Sequence, residues 1–216
     1  MAELMVVRHA QASFGTDNYD KLSELGHRQS AVLGAYLKDL GWVPDRLVTG
    51  TLVRQQETLA SMGLADAPET HAGFNEYDFH NLLSVRFSGD VPAPVMGDRK
   101  THFRTLRETI LEWQAGGLAG SDESWIDFET RVADALAFAT DTKARRVLVI
   151  SSGGAIGQLV SSAMGAPKPQ MMELNLQMRN TSITRFVFSS RGMGLMEFNS
   201  LPHMTPDIYA DMVTYS

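Results

Sequence analysis

The chain has 216 residues, 44% apolar and 20% charged, which suits one globular domain with a full core and excludes global disorder. A net charge of −6 argues against a general nucleic-acid binder, which carries a basic face, yet leaves room for an anionic substrate held by a few local arginines. With no cysteine, disulfides and thiol catalysis are excluded.

In chain order, residues 3–8 read as a short buried strand. Ser23 is placed as the N-cap of a helix over 24–40 that Gly41 ends, with Leu25, Val32, Leu33, Tyr36, Leu37 and Leu40 as its apolar face. A strand at 46–49 leads to a second helix from about Thr51 to Met62. Residues 80–97 carry Gly89, Pro92, Pro94 and Gly97 with no sustained period and read as an excursion loop. Phe103, Leu106, Ile110 and Trp113 recur at helical spacing, and a second helical pattern covers roughly 124–140 beyond a turn at Gly116-Gly117 and Gly120. Strands follow at 146–151, 183–188 and 194–198.

Strands alternating with helices predict an α/β protein, a three-layer αβα sandwich around a largely parallel sheet. Residues 80–140 are expected to form a helical insertion over the C-terminal strand ends, within a single domain covering 1–216. The most apolar stretch, 147–165, is broken by serines and glycines and reads as strand, turn and helix, not as a membrane span. No basic segment with a long apolar core opens the chain, so a cytoplasmic protein with no membrane partner is expected.

The first strand ends abruptly in Arg8-His9. Open α/β sheets place ligands at such strand ends. Arginine supplies a permanent forked charge suited to phosphate, and imidazole is partly neutral near pH 7, so it is able to act as a nucleophile. The pair points to phosphoryl chemistry with a histidine that accepts the phosphate; a strand-end pair facing water is the alternative for the dipeptide alone. Downstream come Asp20-Lys21-Leu22-Ser23-Glu24-Leu25-Gly26-His27-Arg28-Gln29-Ser30, then Leu52-Val53-Arg54 with Thr58, then Phe74-Asn75-Glu76. Glu123-Ser124 precede Phe128 and Arg131, and Val147-Leu148-Val149-Ile150 runs into Ser151-Ser152-Gly153-Gly154.

In this order and spacing the motifs resemble the histidine phosphatase superfamily, the phosphoglycerate mutase-like proteins, from about residue 4 to Ile183. The resemblance implies that His9 is transiently phosphorylated and that Arg8 clamps the phosphate. Gln11 stands where the family has glutamate or glutamine, and Ala10 where it usually has glycine. Arg54 matches the second phosphate arginine; a surface arginine paired with Glu57 is the alternative. Glu76 matches the acid that protonates the leaving group, with Asp78 as runner-up, since on an extended segment the two point to one side. Gly153 and the backbone after Ser152 are expected to bind the phosphoryl group at a helix N-terminus.

Ser152 is the main departure. The family pattern is serine-histidine-glycine-glycine, and a serine hydroxyl donates one hydrogen bond but carries no charge. Three outcomes are open here: weakened catalysis, a rearranged pocket in which serine suffices, or replacement by another histidine such as His80 or His203. His27, His71, His80, His102 and His203 show no zinc-ligand spacing, and no dinucleotide or lysine phosphate loop is present, so no metal and no cofactor are expected. The twelve methionines read as core filling. The expected function is a metal-independent phosphatase acting on a small phosphorylated metabolite through a phosphohistidine. A non-catalytic phosphate- or partner-binding protein and a phosphoglycerate mutase are the alternatives.

Overall fold

The apolar run at the N-terminus becomes the inside of a sheet. In the computed structural model, which describes residues 1–13, 20–64 and 67–215, β1 (Ala2–Arg8) pairs in parallel with β4 (Arg146–Ser151) on one side. On its other side it pairs antiparallel with β5 (Ile183–Ser189). With β2 (Arg46–Thr49), β3 (Glu69–Thr70) and β6 (Gly192–Ser200) the sheet has six strands in the order β3-β2-β4-β1-β5-β6. β1 to β4 run one way, and the antiparallel strand is β5, so the largely parallel sheet is as expected.

Side chains alternate across each strand and feed two separate cores. Leu4, Val6, Val147 and Val149 face one layer, and Met5, Val7, Leu148 and Ile150 face the other; all eight are buried. The second layer holds Leu33 and Leu37 of α1 (Glu24–Asp39) and Leu59 of α2 (Val53–Ser61). The first holds Trp113 of α5 (Arg99–Gln114), Phe128 of α6 (Trp125–Thr140), Ile156 of α7 (Gly153–Ala163) and Met171 of α8 (Gln170–Gln177). Each such side chain contributes about 1.5–3 kcal/mol on burial, and a one-residue slip of β1 would exchange its two faces, so the register is firmly set.

The helix starts follow local chemistry. Ser23 accepts the Gly26 N–H at the head of α1, and Ser124 forms a capping box with Asp127 at the head of α6. The stretch 80–97 is not a plain loop. It contains α3 (Phe79–Arg86), capped by Asp78, and α4 (Ala93–Gly97), opened by Pro92 and Pro94. These helices are too short to show a period, yet Leu82, Leu83 and Val95 are buried. The short β3, α8 and α9 (Tyr209–Met212) also lie outside the sequence reading.

β1 passes into α1 on one face, and β4 passes into α7 on the other. The chain thus leaves neighbouring parallel strands in opposite directions, and their C-terminal ends open a crevice between Arg8-His9 and Ser151-Ser152.

Candidate active site

Backbone pairing fixes His9 at the edge of this crevice. Its N–H donates to Ser151 O at 2.9 Å, and its carbonyl accepts from Asn180 Nδ2 at 3.0 Å. Thr58 locks the next residue: its hydroxyl donates to Arg54 O at 2.6 Å and accepts the Ala10 N–H at 3.0 Å. The Arg54-x-x-x-Thr58 spacing thereby ties α2 to the loop that carries His9.

The imidazole is buried and its tautomer follows from its partners. Nδ1 lies 2.8 Å from Ala10 O, an acceptor only, so Nδ1 carries the hydrogen. Nε2 receives Arg54 Nε–H at 3.2 Å and therefore carries a lone pair. Burial, and then the charges of Arg54 and Arg8, hold the His9 pKa well below its ordinary 6.5. A neutral imidazole thus presents a lone-pair nitrogen that accepts from the Arg54 guanidinium, with the Arg8 charge nearby, an arrangement suited to attack on an anionic phosphorus centre.

Both arginines are held in place. Arg8 Nη1 donates to Met178 O at 2.5 Å and Tyr215 O at 2.8 Å. Arg54 Nη1 pairs with Asp20 at 2.7 Å, and Asp20 also accepts the Val53 N–H. The expected alternative partner, Glu57, instead accepts the Leu22 N–H at 2.7 Å.

The first turn of α7 closes the other side. A Cβ on Gly153 would stand 2.3 Å from Asn175 Oδ1 and 3.6 Å from Arg8 Nε, so Arg8 lies beside this turn and a side chain here would displace the Asn175 carboxamide. A Cβ on Gly154 would strike Glu76 Oε1 and the Tyr77 ring, both at 2.3 Å. The Gly154 N–H donates to both Glu76 carboxylate oxygens at 3.0 Å. Arg131 supports this segment from α6, donating to Gly73 O and Asn75 O and pairing with Glu123. Two open hollows line the N-terminal ends of β1 and β4, around Met1, Ala2 and Arg145, at the far end of the sheet from His9.

The model of the histidine phosphatase superfamily (branch 1) matches residues 4–201. The chain belongs to that superfamily. Solved structures of similar fold include a phosphoserine phosphatase from Entamoeba histolytica in complex with phosphoserine, 16% identical, covering 95% of this chain and 100% of the other at a TM-score of 0.68. A putative alpha-ribazole-5'-P phosphatase from Escherichia coli is 19% identical over 93% and 98% of the two chains, at 0.68. A mycobacterial glucosyl-3-phosphoglycerate phosphatase is 19% identical over 93% and 99%, at 0.65. No curated protein matches in sequence.

Within this histidine phosphatase fold, Arg8, His9, Arg54, Glu76, Ser152 and Gly153 gather around the ends of β1 and β4. Gln11 does not join them by its side chain: Oε1 accepts from Ser23 Oγ at 2.7 Å, fastening the loop to the head of α1. Glu76 and Asp78 are put to different uses, although the backbone stays extended through Asp78 and α3 begins only at Phe79. Asp78 is exposed and caps α3 by accepting the Asn81 N–H, while Glu76 faces α7.

Neither histidine named as a replacement for the absent imidazole stands at Ser152. His80 is exposed on α3. His203 is buried against Tyr36 and bonds Thr181 Oγ1 at 3.1 Å, and burial lowers its pKa to about 4. Ser152 itself is fully buried, with Gln55 Nε2 on its Oγ at 2.9 Å. Gln55, Asp20, Asn175 and Asn180 are site neighbours that the motifs did not single out. Gln55 alone had a signal, a polar residue on the buried side of α2 directly after Arg54. Among the described residues no group of three or more His, Asp or Glu side chains is arranged to hold a metal ion, and no helix is long and apolar enough to cross a membrane.

Proposed function

We propose that the chain is a phosphoric monoester hydrolase acting on a small phosphorylated metabolite through a phosphohistidine on His9. The observation that carries this reading is the neutral His9 imidazole, its Nε2 lone pair held by Arg54 and flanked by two permanent positive charges. Substrate phosphate binds between Arg8, Arg54 and the first N–H groups of α7, and the Arg54 Nε–H passes from the imidazole to a phosphoryl oxygen. Nε2 attacks phosphorus in line, forming the P–N bond as the P–O bond to the alcohol breaks. Glu76 in its acid form gives its proton to the departing oxygen. Water then attacks phosphorus, Glu76 takes its proton, and the P–N bond breaks to release phosphate and restore His9.

The phosphatases of similar fold support a small phosphorylated substrate, since the first of them is described in complex with phosphoserine. A binding protein without turnover and a phosphoglycerate mutase remain the rival readings, and one assay separates them. A panel of phosphorylated metabolites is incubated with wild type and His9→Ala, with and without chelator, and free phosphate is measured. Chelator-insensitive release that His9→Ala abolishes supports the proposal. Unchanged release in His9→Ala overturns it, transfer to a sugar acid in place of water indicates a mutase, and phosphate binding without release indicates a binding protein.

A further inference from the structure

Gln55 stands in the first turn of α2, next to Arg54, and is fully buried. Its neighbours fix the orientation of its carboxamide. One end meets the Leu52 N–H at 3.3 Å and so carries the oxygen. The other meets Phe74 O at 2.8 Å, an acceptor only, and so carries the NH2 group. The second hydrogen of that NH2 group lies on Ser152 Oγ at 2.9 Å. Ser152 therefore accepts from Gln55, and its own proton points elsewhere.

Phe74 O is closed to that proton. It already accepts Ser151 Oγ at 2.8 Å together with Gln55, which fills both lone pairs. Among the described residues the Ser152 hydroxyl donates to no protein atom, although the side chain is 0% exposed. A buried donor left unspent is destabilising, and such groups are found among other places at catalytic sites. Ser152 stands one residue beyond Ser151, whose carbonyl holds the His9 N–H, and one residue before Gly153, which lies against Arg8.

We propose that Gln55 and Ser152 form a donor pair in the phosphoryl site. Gln55 is a positioning residue that commits the Ser152 oxygen to accepting, and the Ser152 proton is thereby turned to the phosphoryl oxygens of a substrate in line with His9. This rests on the phosphatase reading above. No proton is transferred; the hydrogen bond strengthens as negative charge grows on the transferring group, so it acts on turnover more than on binding.

The test is a double-mutant cycle read by steady-state hydrolysis of p-nitrophenyl phosphate, with thermal melts to verify folding. Ser152→Ala should lower kcat by about 100-fold with KM within about threefold of wild type. Gln55→Leu should lower kcat by about tenfold, and the double variant should be no slower than Ser152→Ala, because without the hydroxyl Gln55 has nothing to orient. Ser152→Thr, which keeps the hydroxyl, should recover most of the loss. A Ser152→Ala kcat within about twofold of wild type, or losses that simply multiply in the double variant, overturns the donor pair. If Gln55→Leu does not fold, Gln55→Met takes its place, and the Ser152→Ala result retains its power to refute. His9→Ala run alongside separates the two readings. Turnover that does not depend on His9 overturns the phosphatase reading and the donor pair together. His9-dependent turnover that ignores Ser152 overturns the donor pair alone.

Discussion

Ser152→His should destabilise the protein by itself and should gain activity only when Gln55 is shortened. Ser152 is fully buried, and the Gln55 carboxamide lies 2.9 Å from its Oγ, so an imidazole built at 152 meets a filled space. Overpacking of this kind costs about 1–3 kcal/mol, which for a chain of this size lowers Tm by about 2–12 °C. Gln55→Ala removes the carboxamide and makes room for the ring, so Ser152→His/Gln55→Ala should melt higher than Ser152→His. In the double variant the imidazole is able to carry a positive charge and to donate to the phosphoryl group, a gain of about 100- to 1000-fold in kcat at most, with a smaller change in phosphate affinity. The assay is turnover, phosphate affinity by calorimetry and thermal melts for the four proteins of the cycle. A Ser152→His protein as stable as wild type would show that Gln55 does not occupy the space. A double variant that folds, binds phosphate and is no faster than wild type would show that position 152 does not face the reacting group.

Glu76→Gln keeps an oxygen for the Gly154 N–H but has no proton to give, so it should slow alkyl phosphates by about 100-fold or more and aryl phosphates far less; equal losses in a side-by-side assay would remove Glu76 as the general acid. Burial holds His203 at about 4 against 6.5 for free imidazole, so between these values the unfolded chain binds a proton that the folded chain does not. Its contribution to stability is complete above pH 6.5 and falls as pH drops toward 4, by on the order of 3 kcal/mol in total. His203→Gln should flatten the pH dependence of Tm across that window, and an unchanged slope would contradict the argument. The lowered pKa of His9 keeps the imidazole neutral in mild acid, so the acid limb of kcat/KM should lie below pH 6.5; a limb at or above 6.5 would contradict the site's electrostatics.

The strands of the sheet centre were legible because they are short apolar runs buried on both faces: residues 3–8 and 146–151 become β1 and β4 almost to the residue. Long amphipathic helices were legible from their period, which for α1 agrees with the Ser23 cap and for α6 stood on the spacing alone. α3 was not, because eight residues under a single Asp78 cap show too few turns for a period beside Gly89 and Pro92. β3 escaped because it is two exposed residues. At the site, the ordered motifs pointed to Arg8, His9, Arg54 and the glycine turn, whose types carry their chemistry with them. Gln55 gave only that of a polar residue on the buried side of α2, and Asp20 gave no such mark. Their parts depend on contacts across 97 and 34 residues of chain, which the sequence does not display. The split between Glu76 and Asp78 likewise depends on their partners, the Asn81 N–H for Asp78 and the distant Gly154 N–H for Glu76.

In the proposed mechanism His9 accepts the phosphoryl group. The most direct measurement is rapid acid-free quenching of the enzyme with a radiolabelled phosphate monoester, followed by peptide mapping of the trapped label. The expected result is label on His9, stable in base and lost in acid, formed within the first turnover and absent from His9→Ala. Phosphate release from wild type at full rate with no label on His9, or label on another residue, would contradict it.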